Sequence, residues 1–210
     1  MNQLQHLLLK VIEESGEIST AIMEDEGFLT AGNVISNGSE INLEINDLVA
    51  VLEKLKSSFN YEFNKFHTFS HKEFKKNHQN ENLAFWLLYV LKASNSVSKL
   101  ASKCIQFGLN EKQEGLKSSN TMRLDCALRD LFFGIDCLNE FFNLGFVIDK
   151  NHTEMKMAKI DCYMQYSIQL NCVSTDPVPE EQLPKPFQVI ADEFNYKPIQ
   201  LQEGAEASKV

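Results

Sequence analysis

Leu4, Leu7, Leu8, Val11, Ile18 and Ile22 recur at helical spacing, and at about 100° per residue they form one apolar stripe. After GFLTAGNVISNGSE, where Gly27, Gly32, Gly38 and the asparagines interrupt the helical pattern, Ile41, Leu48, Val51, Leu52 and Leu55 form a second. Both stripes contain the same exception. Glu14 falls inside the first and Glu17 at its edge; Glu44 falls inside the second and Asp47 at its edge. Glu13 points away from the stripe, toward water. An acid on a core-facing stripe is costly unless its charge is compensated.

Residues three apart are neighbours on a helix, so each pair holds its carboxylates side by side, and packing the two helices together brings four acids to one point. A lone ExxE is ordinary on a helix surface. Two such pairs, both intruding on an apolar stripe, are not. Crowded carboxylates either take up protons or attract cations. A cage of oxygen ligands suits a hard divalent ion, so the pattern predicts Mg²⁺, with Mn²⁺ as a substitute, on Glu14, Glu17, Glu44 and Asp47.

Beyond residue 58 the composition shifts. Residues 59–82 are basic and Phe-rich, with Phe59, Phe63 and Phe66 at packing distance along a helix. His67 and His71 stand four apart, but without a nearby Cys or an HExxH pattern they do not read as a zinc site. The segment reads as a helical connector with solvated charge.

From Leu83 the chain resembles its own beginning. LLYVLKASNSVSKLASKCIQFGL aligns on the first helix with Ser96 over Glu17; with a longer loop, NTMRLDCALRDLFFGIDCL aligns on NGSEINLEINDLVAVLEKL. Asn120 then matches Asn37 and Asp130 matches Asp47, whereas Ala93, Ser96 and Ala127 replace Glu14, Glu17 and Glu44. A helix-pair repeat hides each unit's apolar face against the other. The second unit cannot build a carboxylate cage of its own.

Residues 151–172 predict a further helix, and Pro177, Pro179, Pro184 and Pro186 predict an extended linker. In the tail, Phe187, Val189, Ile190 and Phe194 form a short apolar patch suited to docking on the body or a neighbouring subunit. The expected organisation is a first unit at 1–58, a connector at 59–82, a second unit with closing helix at 83–172, and a Pro-rich tail at 173–210. The fold class is all-α: a bundle of two tandem units, a pseudo-dimer in one chain, with room for further pairing into a homo-oligomer.

The net charge of −9 over 210 residues argues against a protein that coats nucleic acid, although metal would let such a surface bind an anionic nucleotide. No apolar run reaches the roughly 20 residues a membrane span requires. The start MNQLQH lacks the basic residues of a secretory signal, so a cytoplasmic location is expected. Cys104, Cys126, Cys137, Cys162 and Cys172 form no CxxC and read as buried thiols.

KVIEESGEI followed by EINDLVAVLEKL resembles the all-α MazG-like nucleoside triphosphate pyrophosphohydrolases, a group that includes the dimeric dUTPases and carries EExxE followed by ExxD. The resemblance implies that Glu14, Glu17, Glu44 and Asp47 hold metal and that a first-helix acid, Glu17 or Glu14, orients or deprotonates the attacking water. SKCIQFGL and the following Gln113 and Asn120 resemble a SKxxxFGL…Q…N stretch of phage and bacterial members, and Lys156, Lys159, Tyr163 and Tyr166 resemble their KxxKxxxYxxYS ending. This implies substrate-facing roles for Lys103, Asn120, its counterpart Asn37, Lys156 and Lys159, in a composite pocket walled by the second unit. Phe107 reads as a core residue.

The expected activity is hydrolysis of a nucleoside triphosphate to monophosphate and pyrophosphate. Two alternatives remain: a nucleotide-binding relative without turnover, and a helical adaptor that meets a partner through its tail.

Overall fold

The computed structural model describes residues 1–25, 37–63, 69–112 and 115–185. These form α1 (Gln3–Met23), α2 (Gly38–Phe59), α3 (Phe69–Asn77), α4 (Leu83–Phe107), α5 (Asn120–Phe142), α6 (Lys150–Gln169) and a 3₁₀ turn at Glu180–Gln182. The fold is all-α, and no described helix is long and apolar enough to cross a membrane.

Local chemistry sets the helix ends. Asn2 accepts the Gln5 amide at 2.9 Å while the Gln5 side chain accepts the Asn2 amide at 3.1 Å, a capping box that opens α1. Asn82 caps α4 through the Phe85 amide, and Gly108, at φ +90°, turns the chain beyond it. Both α2 and α5 end on a left-handed asparagine, Asn60 and Asn143.

α1 packs against α2 and α4, α4 packs against α5, and α6 lies on α2. Every residue of both sequence stripes is buried in one continuous core. Small side chains bring α1 and α4 together: Ser15 meets Ser98 at 2.8 Å and Ser19 meets Ser94 at 2.6 Å. In the register that places Ser96 over Glu17, Ser15 corresponds to Ser94 and Ser19 to Ser98, so the two bonds exchange with each other. α4 and α5 cross at Gly134, where an added Cβ would lie 2.7 Å from the Tyr89 ring and 2.8 Å from Val90.

Several expectations change. His71 is buried, not solvated: its Nε2–H donates to Asp130 Oδ1 at 2.7 Å and its ring stacks on Phe133 at 4.5 Å. Phe59 and Phe63 join the packing face as expected, whereas Phe66 and His67 lie outside the described residues. Phe107 is 56% exposed because α4 ends there and its ring falls past the last packed turn. Cys104 and Cys137 are buried, and burial pushes both thiols up to about 12; Cys126, Cys162 and Cys172 are exposed.

The start of the Pro-rich segment is extended but anchored. The Ser174 amide donates to the Met1 carbonyl at 2.9 Å, and the Asn110 side chain donates to the Glu181 and Leu183 carbonyls. Gln113, residues 26–36, where a loop is expected, and Phe187, Val189, Ile190 and Phe194, expected to form an apolar patch, lie outside the described residues.

Gly134→Val should destabilise the protein by about 3 kcal/mol, because a β-branched side chain must force α4 and α5 apart. An unchanged urea midpoint would contradict the close crossing.

Candidate acidic site

Glu14 and Glu17 project from α1 toward Glu44 on α2, and oxygen atoms of the three lie within 4.8 Å of one another. Glu14 has no exposed surface, Glu44 is half-buried and Glu17 faces solvent at the mouth. The stripe geometry holds on α1, where the acid inside the stripe is buried and the acid at its edge is exposed, but reverses on α2, where Asp47 at the edge is buried beneath His152 and Lys156 and Glu44 inside the stripe is only half-buried. Glu13 pairs instead with Lys10 on the surface, at 2.5 Å.

Burial, followed by the Lys156 contact and Glu17, sets the Glu14 carboxyl, and the net effect pushes it up to about 7. Burial and then the Glu17 and Asp47 charges push Glu44 up to about 7 as well. Glu17 is within hydrogen-bonding reach of both, and its charge helps to raise Glu14 and Glu44. Glu44 Oε2 is buried and has no hydrogen-bond partner among the described residues.

Asp47 takes a different position. Its Oδ2 accepts from Lys156 and its Oδ1 accepts from His152 Nε2–H at 2.5 Å, both delivered by α6. The Lys156 ammonium also donates to Glu14 Oε2 at 3.2 Å and lies 3.1 Å from Oε1. Burial works against the Lys156 charge, but the contacts with Asp47 and Glu14 outweigh it and hold its pKa above the ordinary lysine value. One lysine thus bridges an acid from each pair, leaving Glu14, Glu17 and Glu44 as the group with closely spaced oxygens.

Side chains that carried no motif position α6. On α2, Asn42 Oδ1 accepts the Val147 amide at 3.0 Å, and Asn46 donates to the Val147 carbonyl at 3.0 Å while accepting the Asp149 amide at 2.7 Å. Asn139 on α5 holds Phe146 by both its amide and its carbonyl. Asp149 then caps α6 through the Asn151 and His152 amides. The signal in the sequence was Asn42 and Asn46, poor helix formers one turn apart on a core-forming helix. His152 carried no sequence signal that separated it from a surface residue.

The other expected substrate residues lie elsewhere. Lys159 is exposed and sits 5.9 Å from the Tyr163 ring. The Lys103 ammonium is lowered first by lost solvation and then by the charges of Arg123 and Lys99. Lys103 is not among the main charges acting on Glu14 or Glu44. Asn37 donates to the Ala21 carbonyl at 3.2 Å, and Asn120 donates to the Gly108 carbonyl at 2.9 Å, so each ties the start of one helix to the end of the one before. Asn120 is fully buried.

The oxygen-only donors of Glu14, Glu17 and Glu44 and the orphaned Glu44 oxygen fit a hard divalent cation such as Mg²⁺. No family model matches the chain, and neither a curated protein nor a solved structure is found to match it significantly.

Two outcomes follow. Because the folded pKa values of Glu14 and Glu44 lie above the ordinary 4.5, the folded state binds more protons than the unfolded one between about pH 4.5 and 7. Stability from these groups is present at the acid end and is lost as pH rises to about 7. The melting temperature should fall over that window, and Glu14→Gln with Glu44→Gln should flatten the fall; an equal slope in the variant would contradict the burial. Separately, Asn46→Ala should cost about 2 kcal/mol through lost hydrogen bonds and speed amide exchange across residues 147–153.

Proposed function

We propose that the protein is a Mg²⁺-dependent nucleoside triphosphate pyrophosphohydrolase. The observation that carries this reading is the meeting of Glu14, Glu17 and Glu44 at one point on two core helices, with two of them pushed up to about 7. The resemblance of EExxE and ExxD to the MazG-like enzymes supports it from the sequence.

A divalent ion bound there supplies positive charge to phosphate oxygens and makes water more acidic. The chain's own residues do the rest. Glu17, at the solvent-facing mouth, accepts a proton from the attacking water. The water oxygen bonds to the α-phosphorus, the bond to the bridging oxygen breaks, and pyrophosphate leaves with the electron pair. Lys156, already between Glu14 and Asp47, stands where its ammonium can share charge with the departing phosphates. His152 fixes the Asp47 carboxylate that holds Lys156.

The reciprocal serine bonds support the tandem arrangement. So do the histidines: His71, on the helix after α2, reaches Asp130, whereas His152, on the helix after α5, reaches Asp47, its counterpart in the first half. In this reading α3 and α6 are equivalent third helices, each crossing onto the other unit. The connector at 59–82 then belongs to the first unit.

The Lys156 and His152 pairings favour one rival reading, in which the chain's own cations neutralise the acids and nucleotide binds without turnover. Screening common NTPs and dNTPs with Mg²⁺ for pyrophosphate release separates the two. Glu44→Ala should abolish release, a larger loss than the roughly 10–100-fold typical of an outer-shell change, which His152→Ala should show. Activity retained by a Glu14→Ala, Glu44→Ala double variant would remove the site assignment.

A further inference from the structure

The space bounded by α3, α4 and α5 stands in the second half where the acidic site stands in the first. Ala93, Ser96 and Asp130 occupy the register of Glu14, Glu17 and Asp47, and loss of the larger side chains leaves an open cleft of about 470 Å³. The cleft is not merely apolar. Phe74 stacks on His78 at 4.0 Å, His78 stacks on Phe85 at 5.2 Å with planes 8° apart, and Tyr89 lies 5.5 Å from Phe74. Phe74, Phe85 and Tyr89 thus line the cleft with aromatic rings, Tyr89 tilted 40° from Phe74, beside a carboxylate. Asp130 is 51% exposed at its side chain; one oxygen is held by His71, and the other makes no hydrogen bond among the described residues.

Lys92 forms part of this cleft and also of a shallower groove that continues along α4 past Asn95 and Ser96 to Lys99. The two lysines stand seven positions apart, which places both on one side of the helix with Cα atoms about 10 Å apart. Although the chain carries a net charge of −9, neither lysine makes an ion pair among the described residues. An aromatic pocket with a hydrogen-bond acceptor, leading into a track of two cations and a hydroxyl, matches a planar amine-bearing ring joined to a short chain of phosphates.

We propose that this cleft is a second nucleotide site that binds without hydrolysis. The base lies against Phe74, Phe85 and Tyr89, an amino N–H of the base donates to Asp130, and the phosphates run past Ser96 to Lys92 and Lys99. Ala93, Ser96 and Ala127 leave no carboxylate cage, so binding here needs no divalent ion. The overall negative charge opposes a long polyanion more than a single nucleotide, whose few charges two lysines can meet. The inference stands on the residues of the cleft and does not depend on the hydrolytic reading of the acidic site.

The test is isothermal titration of the full chain with ATP in EDTA at low salt, with adenosine and inorganic triphosphate as separate arms. One ATP per chain should bind, more tightly than either arm. Lys92→Glu with Lys99→Glu, both at exposed positions, should weaken binding by about tenfold or more, with an unchanged melting temperature as the folding control. Glu14→Gln with Glu44→Gln should leave the affinity unchanged. The proposal is overturned by absence of ATP binding in EDTA, by indifference to the lysine pair, by loss of binding in the glutamate variant, or by triphosphate binding as tightly as ATP. Failure of the hydrolytic reading would register separately, as no pyrophosphate release with Mg²⁺ while binding in EDTA persists.

Discussion

Glu14 carries a carboxyl group into a fully packed helix interface, and much of the first half of the molecule is arranged around that fact. A buried charge must be neutralised by a proton, by a cation from solvent or by a cation the chain supplies. The structure combines the first and third routes: burial pushes the Glu14 carboxyl up to about 7, and Lys156 lies against it. Delivering that lysine requires α6 to lie on α2, which requires the turn after α5 to be held in place. Asn42, Asn46 and Asn139 hold it, and their buried or half-buried amides have no other evident purpose. The polar network that delivers Lys156 thus runs from Asn42 and Asn46, beside and within the ExxD stretch, to Asn139 on α5.

The helices and the acids were legible because both rest on local periodicity. A stripe of Leu, Val and Ile defines a core face, and any Glu inside that stripe stands out by angle alone. Glu14 and Glu44 were found this way, and Glu13 was set aside this way. What could not be read depends on contacts between residues distant in sequence. His152 and Asp47 are separated by 105 positions, and no spacing rule connects them. His71 was misread for the same reason: within its own basic, hydrophilic segment it belongs with the solvated residues, and only the approach of α5 buries it against Phe133. Phe107 failed differently, because a one-residue difference in where α4 ends decides whether its ring packs or projects.

Read as the proposed tandem units, the two halves carry different chemistry on one frame. Each has an aspartate held by a histidine from another helix, and each has its first helix pressed to the other's by paired serines. These shared features place backbone and orient one carboxylate. What differs is the material around that carboxylate. Three glutamates in the first half create repulsion that only protons or cations relieve; two alanines and a serine in the second remove the repulsion and leave space.

That contrast bears on why, among the described residues, no lysine pairs with Asp130 as Lys156 pairs with Asp47. Asp130 is already paired with His71 and has no buried glutamate beside it, so a second cation there would have no second anion to bridge. On the helix after α2, Lys75 turns outward to Glu140 instead. In the first half Lys156 spans two anions, and a phosphate or a divalent ion entering the site competes for the same charges. Under the proposed metal-binding reading, the lysine would couple occupancy of the acidic site to the docking of α6, a coupling that the Asp130–His71 pair does not provide.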